Sequence, residues 1–290
     1  MQIYQAVTDG ILAGGVYALM AIGLTLIFGV LDIINIAQGI LVVLAAYLSY
    51  TLSVHLHLDL FTGLLITIPI MFVLGLCIQT LFLRRLRGPE RTSMSLLASY
   101  SVLIIIEGVL YWGFGPNFVQ LRAWYVTRTV RVFGFYLPYI YLFGFGLAVA
   151  LVVAVYLLLY RTRFGRSLRA TMQDRVAAQL VGIDVNRVAA LAFGIGVGLT
   201  AVGGMVYGAT NAFNPNSGYD LISRLLAIVI LGGLGSIGGA MVAAVFMTTV
   251  ESLVNLWSPT WSVVVFYAAL IIVLTFRPAG LFGRKAARAQ

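Results

Sequence analysis

The stretch YALMAIGLTLIFGVLDIINIAQG (residues 17–39) decides the fold of this chain. Its first half completes an apolar run of about 20 residues, which is long enough to cross the hydrocarbon core of a bilayer as a helix. Asp32, Asn35 and Gln38 then interrupt the run, and Gly39 follows them. Such an interruption predicts a broken helix whose freed backbone groups line a cavity.

The composition extends the membrane interpretation to the whole chain. Of 290 residues, 61% are hydrophobic and 9% are charged, whereas soluble domains carry about 25% charged residues. Unbroken apolar runs favour helices over a barrel, whose strands would alternate. We predict an all-α polytopic membrane bundle in which residues 1–290 form one transmembrane domain and the first apolar run is retained as a span. The predicted spans are 9–30, 33–54, 61–83, 93–113, 139–160, 188–209, 222–234, 237–257 and 260–276.

The basic residues predict the orientation of this bundle. Cytoplasmic loops of membrane proteins are enriched in Lys and Arg, so we expect the N-terminus outside and the C-terminus inside. Three inner connections then carry most of the basic residues: Arg84, Arg85, Arg87 and Arg91; Arg161, Arg163, Arg166, Arg169, Arg175 and Arg187; and Arg277, Arg284, Lys285 and Arg288. The net charge of +9 therefore reflects the orientation of the chain in the membrane and does not indicate a nucleic acid partner. The segment 222–234 is short enough to cross only half of the membrane, which leaves eight or nine crossings open.

The inner connection 161–187 predicts a helix on the cytoplasmic face. Apolar residues recur there at helical spacing: Met172, Val176, Ala177, Leu180 and Val181. Gly182 is suited to end the helix, because glycine tolerates the left-handed conformation of a C-terminal cap. We expect one amphipathic helix between Gly165 and Gly182. By shape alone it could dock a partner protein, lie on the membrane surface or link two spans.

Two further segments carry structural predictions. LTLIFGVLDIINIAQG (24–39) resembles LTAVGGMVYGATNAFNPNSG (199–218) in its opening and in its Asn-containing exit. With the predicted orientation the two run in opposite directions, which is the arrangement of inverted repeats that place a substrate path at their interface. The outer connection 114–138 is aromatic and β-branched, and it predicts a small interfacial hairpin or lid.

Polar residues within the apolar segments are the candidates for a solute path, because such groups are costly in lipid and usually face a cavity or a partner. Those we select are Asp32, Asn35, Gln38, Glu107, Asn211, Asn214 and Glu251. For Glu107 and Glu251, an equal alternative is that the carboxylate reaches a nearby interface. So few acids disfavour a proton-driven carrier, while a sodium-driven one stays open.

The sequence offers no catalytic or nucleotide-binding motif. It lacks GxxxxGK[ST], GxSxG and HExxH, and the Gly-rich stretch LGGLGSIGGA (231–240) has no Lys for a phosphate. His55, His57 and Asp59 are too few for a metal site, and the single Cys77 cannot form an intrachain disulfide. We therefore expect no enzymatic activity, no catalytic residue and no metal or cofactor bound by this chain.

The chain resembles the permease subunits of bacterial ABC importers of the branched-chain amino acid type. The resemblance covers nearly the whole chain and is carried by residues 17–39, 162–188, 226–244 (LAIVILGGLGSIGGAMVAA) and 276–284 (FRPAGLFGR). It implies a multi-pass protein of the plasma (inner) membrane with three kinds of partner. These are a second permease subunit (a paralogue or a second copy), two cytoplasmic ATPases that bind ATP and Mg, and an extracytoplasmic solute-binding protein.

The resemblance also makes the helix of 161–187 the coupling helix that docks on the ATPase. The residues it implies at or near that contact are Thr171, Asp174, Arg175, Ala178 and Gly182. The family commonly has His where this chain has Gln38, so the solute stays open between branched-chain amino acids and other small solutes such as urea or short amides. The expected mechanism is alternating access. The alternative is a stand-alone secondary carrier or channel, which would not co-purify with an ATPase.

Overall fold

The structure, a computed structural model, describes residues 2–86, 91–126, 128–132 and 135–283. In chain order its elements are α1 (Gln2–Leu31), α2 (Gln38–His55), α3 (Leu60–Leu81), a 3-10 helix (Leu83–Arg85), α4 (Arg91–Phe114), β1 (Thr129–Val132), β2 (Phe135–Pro138), α5 (Tyr139–Arg161), α6 (Arg163–Gln173), α7 (Arg175–Leu180), α8 (Val185–Thr210), α9 (Ser217–Gly232), α10 (Ile237–Asn255) and α11 (Pro259–Phe276). Within the described ranges, 8 helices are long and apolar enough to cross a membrane, namely all except α6, α7 and α9. The predicted polytopic helical bundle is confirmed.

The helices run between two opposite faces. We call the face with α6, α7 and the C-terminal end of α1 the basic face, and the face with β1 and β2 the hairpin face. Near the start of α1, Gln5 exchanges hydrogen bonds with the backbone of Tyr136 in β2, whereas Gly283 lies against Gly233 on the basic face. The described chain therefore begins and ends on opposite faces. The number of crossings is odd because the chain crosses through the 8 long helices and also through the segment 211–232, which contains α9. Which face is cytoplasmic stays a prediction from charge. Of the residues that carry it, Arg87, Arg284, Lys285, Arg288 and the side chain of Arg91 lie outside the description.

Two predicted spans have wrong starting points. The segment predicted from residue 33 becomes helical only at Gln38, and α9 begins at Ser217 rather than at 222. Residues 32–37 and 211–216 precede these helices and are mostly irregular. Hydropathy reports the side chains and not the backbone hydrogen bonds. The apolar residues of the first break therefore look like part of a span, whereas the polar residues in the first turn of α9 look like part of a loop.

The chain folds as two inverted repeats. The elements α1, break 32–37, α2, α3 and α4 correspond to α8, break 211–216, α9, α10 and α11, and equivalent elements run in opposite directions. The two breaks have equal lengths, so Gly39 corresponds to Gly218 and the exit of the predicted repeat is confirmed. The register of its opening is wrong, because Leu24 corresponds to Gly203 and not to Leu199, about one helical turn away. A Leu-Thr pair is too common in apolar helices to set a register.

Close contacts between small residues hold the centre of the bundle together. A Cβ on Gly23 of α1 would lie 2.5 Å from the carbonyl oxygen of Gly196 in α8, and one on Gly204 would lie 2.4 Å from that of Val42. Glycine permits this approach, which matters in lipid because the hydrophobic effect does not drive helices together there. In contrast, α4, α5 and α11 expose many large apolar side chains on their outer sides, as lipid contact requires.

The connection 114–138 contains the predicted hairpin, formed by antiparallel β1 and β2; Thr127, Phe133 and Gly134 lie outside the described residues. Val119 pairs with Phe213 through two backbone hydrogen bonds of 2.9 Å. The hydroxyl of Tyr125 donates to Asp59 Oδ1 at 2.8 Å. Burial raises the pKa of the Tyr125 hydroxyl, and the bond to Asp59 raises it further, so this hydroxyl keeps its proton near neutral pH. In the described ranges, no three His, Cys, Asp or Glu side chains are grouped as metal ligands.

Candidate functional site

Two half-helices begin side by side in the middle of the bundle. The Nε2 of Gln38, at the start of α2, donates to the carbonyl of Gly196 (3.5 Å), which lies near the middle of α8. Next to it begins α9, since a Cβ on Gly39 would lie 2.1 Å from the carbonyl oxygen of Gly218. The 16 residues of α9 span about 24 Å, less than the ~30 Å of the hydrocarbon core. α9 therefore runs from mid-bundle to the basic face, as the predicted half-crossing segment should.

Each half-helix is entered through the same side-chain turn. Asn35 Nδ2 donates to Gln38 Oε1 (3.1 Å), and at the equivalent positions Ser217 Oγ donates to Asn214 Oδ1 (3.1 Å). The backbone N–H groups of Gln38 and Ser217 donate to the carbonyls of Asn35 and Asn214. Polar groups freed by each break thus find partners locally, which is the condition for irregular backbone at membrane depth.

The two turns differ in their exposure. Asn35 and Gln38 are 1% and 0% exposed, so in this conformation they hold the first break together and do not border an open space. Asn214 is half-buried and Asn211 is exposed, at the hairpin-face end of α8. Asp32 is exposed on the basic face, where it ends α1 with a left-handed φ of 55°. The breaks therefore do not bring these five predicted residues into one site.

The open polar surface at this depth lies on α9. Asn216, Tyr219, Asp220 and Ser223 are exposed and share one helix face, which we call the α9 stripe. Asp220 occupies the first turn of α9, where the helix dipole favours a negative charge, and among the described residues it makes no hydrogen bond or ion pair. Exposed polar groups in mid-membrane are costly in lipid, so the stripe requires water or a protein partner.

The sequence prediction missed Tyr219 and Asp220. The predicted span began at residue 222, which placed both residues outside the membrane. The signal that could have found them is the spacing of four polar residues at i, i+3, i+4 and i+7, which puts them on one face of a helix.

The helix α4 borders the stripe. Glu107 Oε2 accepts a hydrogen bond from the hydroxyl of Tyr219 (2.9 Å), so the glutamate turns toward α9 rather than toward the hairpin face. Two turns earlier in α4, Ser99 Oγ accepts from the backbone N–H of Ile36 (3.3 Å) in the first break. One helix therefore contacts both repeats where their half-helices begin.

An ion pair joins α9 to α10 behind the stripe. Arg224 Nη1 donates to both carboxylate oxygens of Glu251, at 2.6 and 2.7 Å. The side chains are 23% and 19% exposed, and the guanidinium lies 5.4 Å from the ring centre of Phe266 in α11. Charges at this depth are tolerated when they are paired in good geometry. Glu251, a predicted path residue, is thus engaged in a contact between helices.

On the basic face, the predicted single helix between residues 165 and 182 is wrong, because two helices form there. Asp174 is extended (φ −153°, ψ 114°) and separates α6 from α7. Its Oδ1 accepts from the backbone N–H groups of Val176 (2.8 Å) and Ala177 (3.0 Å). An aspartate that caps a new helix competes with continuing the old one. The predicted stop at Gly182 is confirmed, with a φ of +84°.

The segment presents different residues inward and outward. Thr171 and Ala178 are buried against the bundle, and Arg175 Nη1 donates to the carbonyl of Leu31 at the end of α1 (3.3 Å). The large apolar side chains that point outward are Val176, Leu180 and Val181, which are 67%, 84% and 75% exposed. The inward residues connect this segment to the bundle, and the outward ones form an apolar surface, which we call the α7 patch.

A cavity of about 1140 Å³ opens on the basic face between the ends of α1 and α9. Asp32, Arg169 and Arg175 provide polar walls, and Ile230 and Leu234 provide apolar ones. Ile230 continues the helix face of the α9 stripe toward the basic face, and Leu234 follows just after the end of α9. The stripe therefore leads from mid-bundle to this cavity.

Comparison with known proteins identifies the family. Residues 6–274 match the family model described as branched-chain amino acid transport system, permease component. The chain belongs to this family. The permease is 28% identical to the high-affinity branched-chain amino acid transport system permease protein BraD of Pseudomonas aeruginosa, and 28% identical to LivH of Escherichia coli; each match covers 97% of the chain and 95% of the relative. A shorter match, 36% identical over 123 residues, covers 40% of the chain and 36% of the autoinducer 2 import system permease protein LsrC of Klebsiella pneumoniae.

Family membership confirms the resemblance seen in the sequence. The permease is a multi-pass membrane protein, since 8 of its described helices are long and apolar enough to span. Its relatives BraD and LivH are permease proteins of transport systems by name.

Proposed function

We propose that the permease is one subunit of an ATP-driven importer in which a small polar solute passes along the α9 stripe. The observation that carries this proposal is the stripe itself, which is polar, uncovered and located at mid-bundle. Exposing such a polar surface to lipid is energetically costly. A water-filled path against a second permease subunit, either a paralogue or a second copy, would satisfy its polar groups.

The solute we propose is a branched-chain or other small amino acid, supplied by an extracytoplasmic binding protein. BraD and LivH are named for branched-chain amino acids, and LsrC is named for autoinducer 2, so the solute must be measured. The path offers chemistry suited to an apolar amino acid. The carboxylates of Asp220 and Glu107 can attract an ammonium group, and Ile230 and Leu234 offer apolar contact further along.

The motor we propose is a pair of partner ATPases that bind ATP and Mg and dock on the α7 patch. An exposed apolar surface of this kind is typical of an interaction site. The bond from Arg175 to the carbonyl of Leu31 supports a transmission role, because the first break begins at the next residue. Movement of α7 would thereby reach the half-helices and switch the access of the path.

Cysteine accessibility tests the path. With the exposed Cys77 replaced by serine, a Ser223→Cys variant should react with a membrane-impermeant thiol reagent, and solute should slow the reaction. The control is Val153→Cys, at an α5 position that is 49% exposed and should face lipid without reacting. An unreactive Ser223→Cys variant in an active transporter would contradict the path.

Co-purification tests the motor and separates an importer subunit from a stand-alone carrier. Tagged wild-type permease should retain its ATPases through purification, and Leu180→Asp in the α7 patch should lose them. Gln179→Asp, at an exposed polar neighbour, is the matched control and should retain them. Full retention by Leu180→Asp would refute docking on the α7 patch.

A further inference from the structure

The C-terminal segment 277–283, which contains most of the FRPAGLFGR motif, binds the basic-face end of α9 through its backbone. The N–H of Leu281 donates to the carbonyl of Leu231 (2.8 Å), and the N–H of Phe282 donates to that of Gly232 (3.1 Å). The two donors are consecutive, and so are the two acceptors. This segment is therefore laid along the end of the half-helix.

These two bonds complete the cap of α9. The last four carbonyls of a helix have no partner within it. In α9, those of Val229 and Ile230 accept from the N–H of Gly233, at 3.0 and 3.1 Å. The other two are the carbonyls of Leu231 and Gly232, which accept from the C-terminal segment. Half of the cap thus comes from a part of the chain that follows α11, and without it two carbonyls near the membrane would lose their partners.

Two glycines allow the C-terminal segment to approach the end of α9 closely. Gly280 has a φ of +79°, and a Cβ there would lie 2.6 Å from the carbonyl oxygen of Ile230. Gly233 has a φ of +98°, and a Cβ there would lie 2.4 Å from the backbone nitrogen of Gly283. Both positions need glycine for their backbone conformation and for the close approach.

The same segment forms a wall of the basic-face cavity. Pro278, Ala279 and Phe282 line it on one side, and Arg169 and Met172 of α6 line it as well. The cavity therefore lies between α6, next to the proposed docking helix α7, and the C-terminal segment that caps the proposed path helix.

We infer that residues 277–283 are a strap that ties the basic-face end of α9 to α11, so that α9 moves with the basic face during transport. The inference rests on the proposed function, in which α9 lines the path. Arg175 ties the first repeat to α7 at Leu31, and the strap ties α9 in the second repeat. Without the strap, we expect ATP hydrolysis to continue while α9 moves less with the basic face.

The test compares variants that lose an N–H donor of the strap with a variant that keeps both donors. Leu281→Pro removes the N–H that binds Leu231, and Phe282→Pro removes the N–H that binds Gly232. Leu281→Ala keeps both donors and is the matched control, at a position that does not line the cavity. The measurement is solute transported per ATP hydrolysed by the complete transporter in proteoliposomes, prepared from the folded fraction after gel filtration. We expect a several-fold lower ratio with near-normal ATPase rates for both proline variants, and a ratio close to wild type for Leu281→Ala.

Other outcomes distinguish the strap from the function on which it rests. Folded proline variants with the wild-type ratio would overturn the strap, and so would a Leu281→Ala variant that uncouples as strongly as Leu281→Pro. If the proline variants do not fold, hydrogen exchange of the wild-type complex decides. Peptides 224–233 and 276–283 should gain or lose protection together when a non-hydrolysable ATP analogue binds. A change in the protection of peptide 276–283 without a change in that of peptide 224–233 would overturn the inference. Wild-type permease without ATP-driven uptake would instead refute the proposed function.

Discussion

Replacing Gly39 with alanine should force the two half-helices apart. The added Cβ would lie 2.1 Å from the carbonyl oxygen of Gly218 and 2.7 Å from the backbone nitrogen of Ile222. Carbon and oxygen in contact are separated by about 3.3–3.6 Å, so relieving the 2.1 Å approach would require α2 and α9 to separate by about 1.2–1.5 Å. Both obstructing atoms belong to the backbone, so no side chain can rotate away to relieve the clash.

The expected cost lies at the upper end of the range for an overpacked core, about 3 kcal/mol. For chains of roughly this size, each kcal/mol lowers Tm by about 2–4 °C, which gives a loss of about 6–12 °C. Thermal unfolding of the purified permease in detergent, followed by gel filtration, measures this loss. Uptake in proteoliposomes, which we expect to fall as well, measures the effect on the path.

Gly146→Ala in α5 is the matched control, because nothing lies within 4 Å of a Cβ at that position. Alanine is favoured over glycine in a helix by about 1 kcal/mol, so this variant should keep or raise Tm. If Gly39→Ala keeps both the wild-type Tm and wild-type uptake, α2 and α9 do not cross in contact at Gly39 and Gly218.

Three further predictions concern the residues around the path. Glu251→Ala leaves the charge of Arg224 without its partner and should lower the free energy of unfolding by about 3 kcal/mol; Arg224→Glu combined with Glu251→Arg should recover part of it, and no recovery would speak against a pairwise contact. Asp174→Ala removes the cap of α7 at a cost of about 1 kcal/mol and, combined with Arg175→Ala, should uncouple ATP hydrolysis from uptake; unaltered uptake at normal expression would exclude the coupling role. Asp220→Asn keeps the side-chain shape, so Tm should not change, but it removes the negative charge, so initial uptake rates should fall several-fold. A wild-type uptake rate would remove Asp220 from the path.

Features that depend on hydropathy or on a local polar interruption could be predicted from the sequence. The membrane class, the short segment that became α9 and the Asn-containing exits of the two repeats all belong to this group. Asp174 shows where such reasoning fails. Apolar residues keep helical spacing on both sides of it, so periodicity continues through a position where the side chain ends one helix and caps the next.

Contacts distant in sequence could not be predicted. Nothing near Arg224 in the sequence indicates Glu251 as its partner, and Tyr219 binds Glu107 from a different helix. The strap is a still clearer case, because it binds α9 through backbone groups, which every residue except proline shares. Its glycines were visible in the sequence, but their partners were not.

The central claim is that ATP hydrolysis on partner subunits drives solute along α9. The most direct measurement is uptake of labelled amino acid into proteoliposomes that contain the permease, its ATPases and the solute-loaded binding protein. We predict uptake that requires ATP on the ATPase side and stops when the catalytic carboxylate of the ATPase is replaced. Uptake driven by an ion gradient in liposomes that contain the permease without any ATPase would contradict the claim.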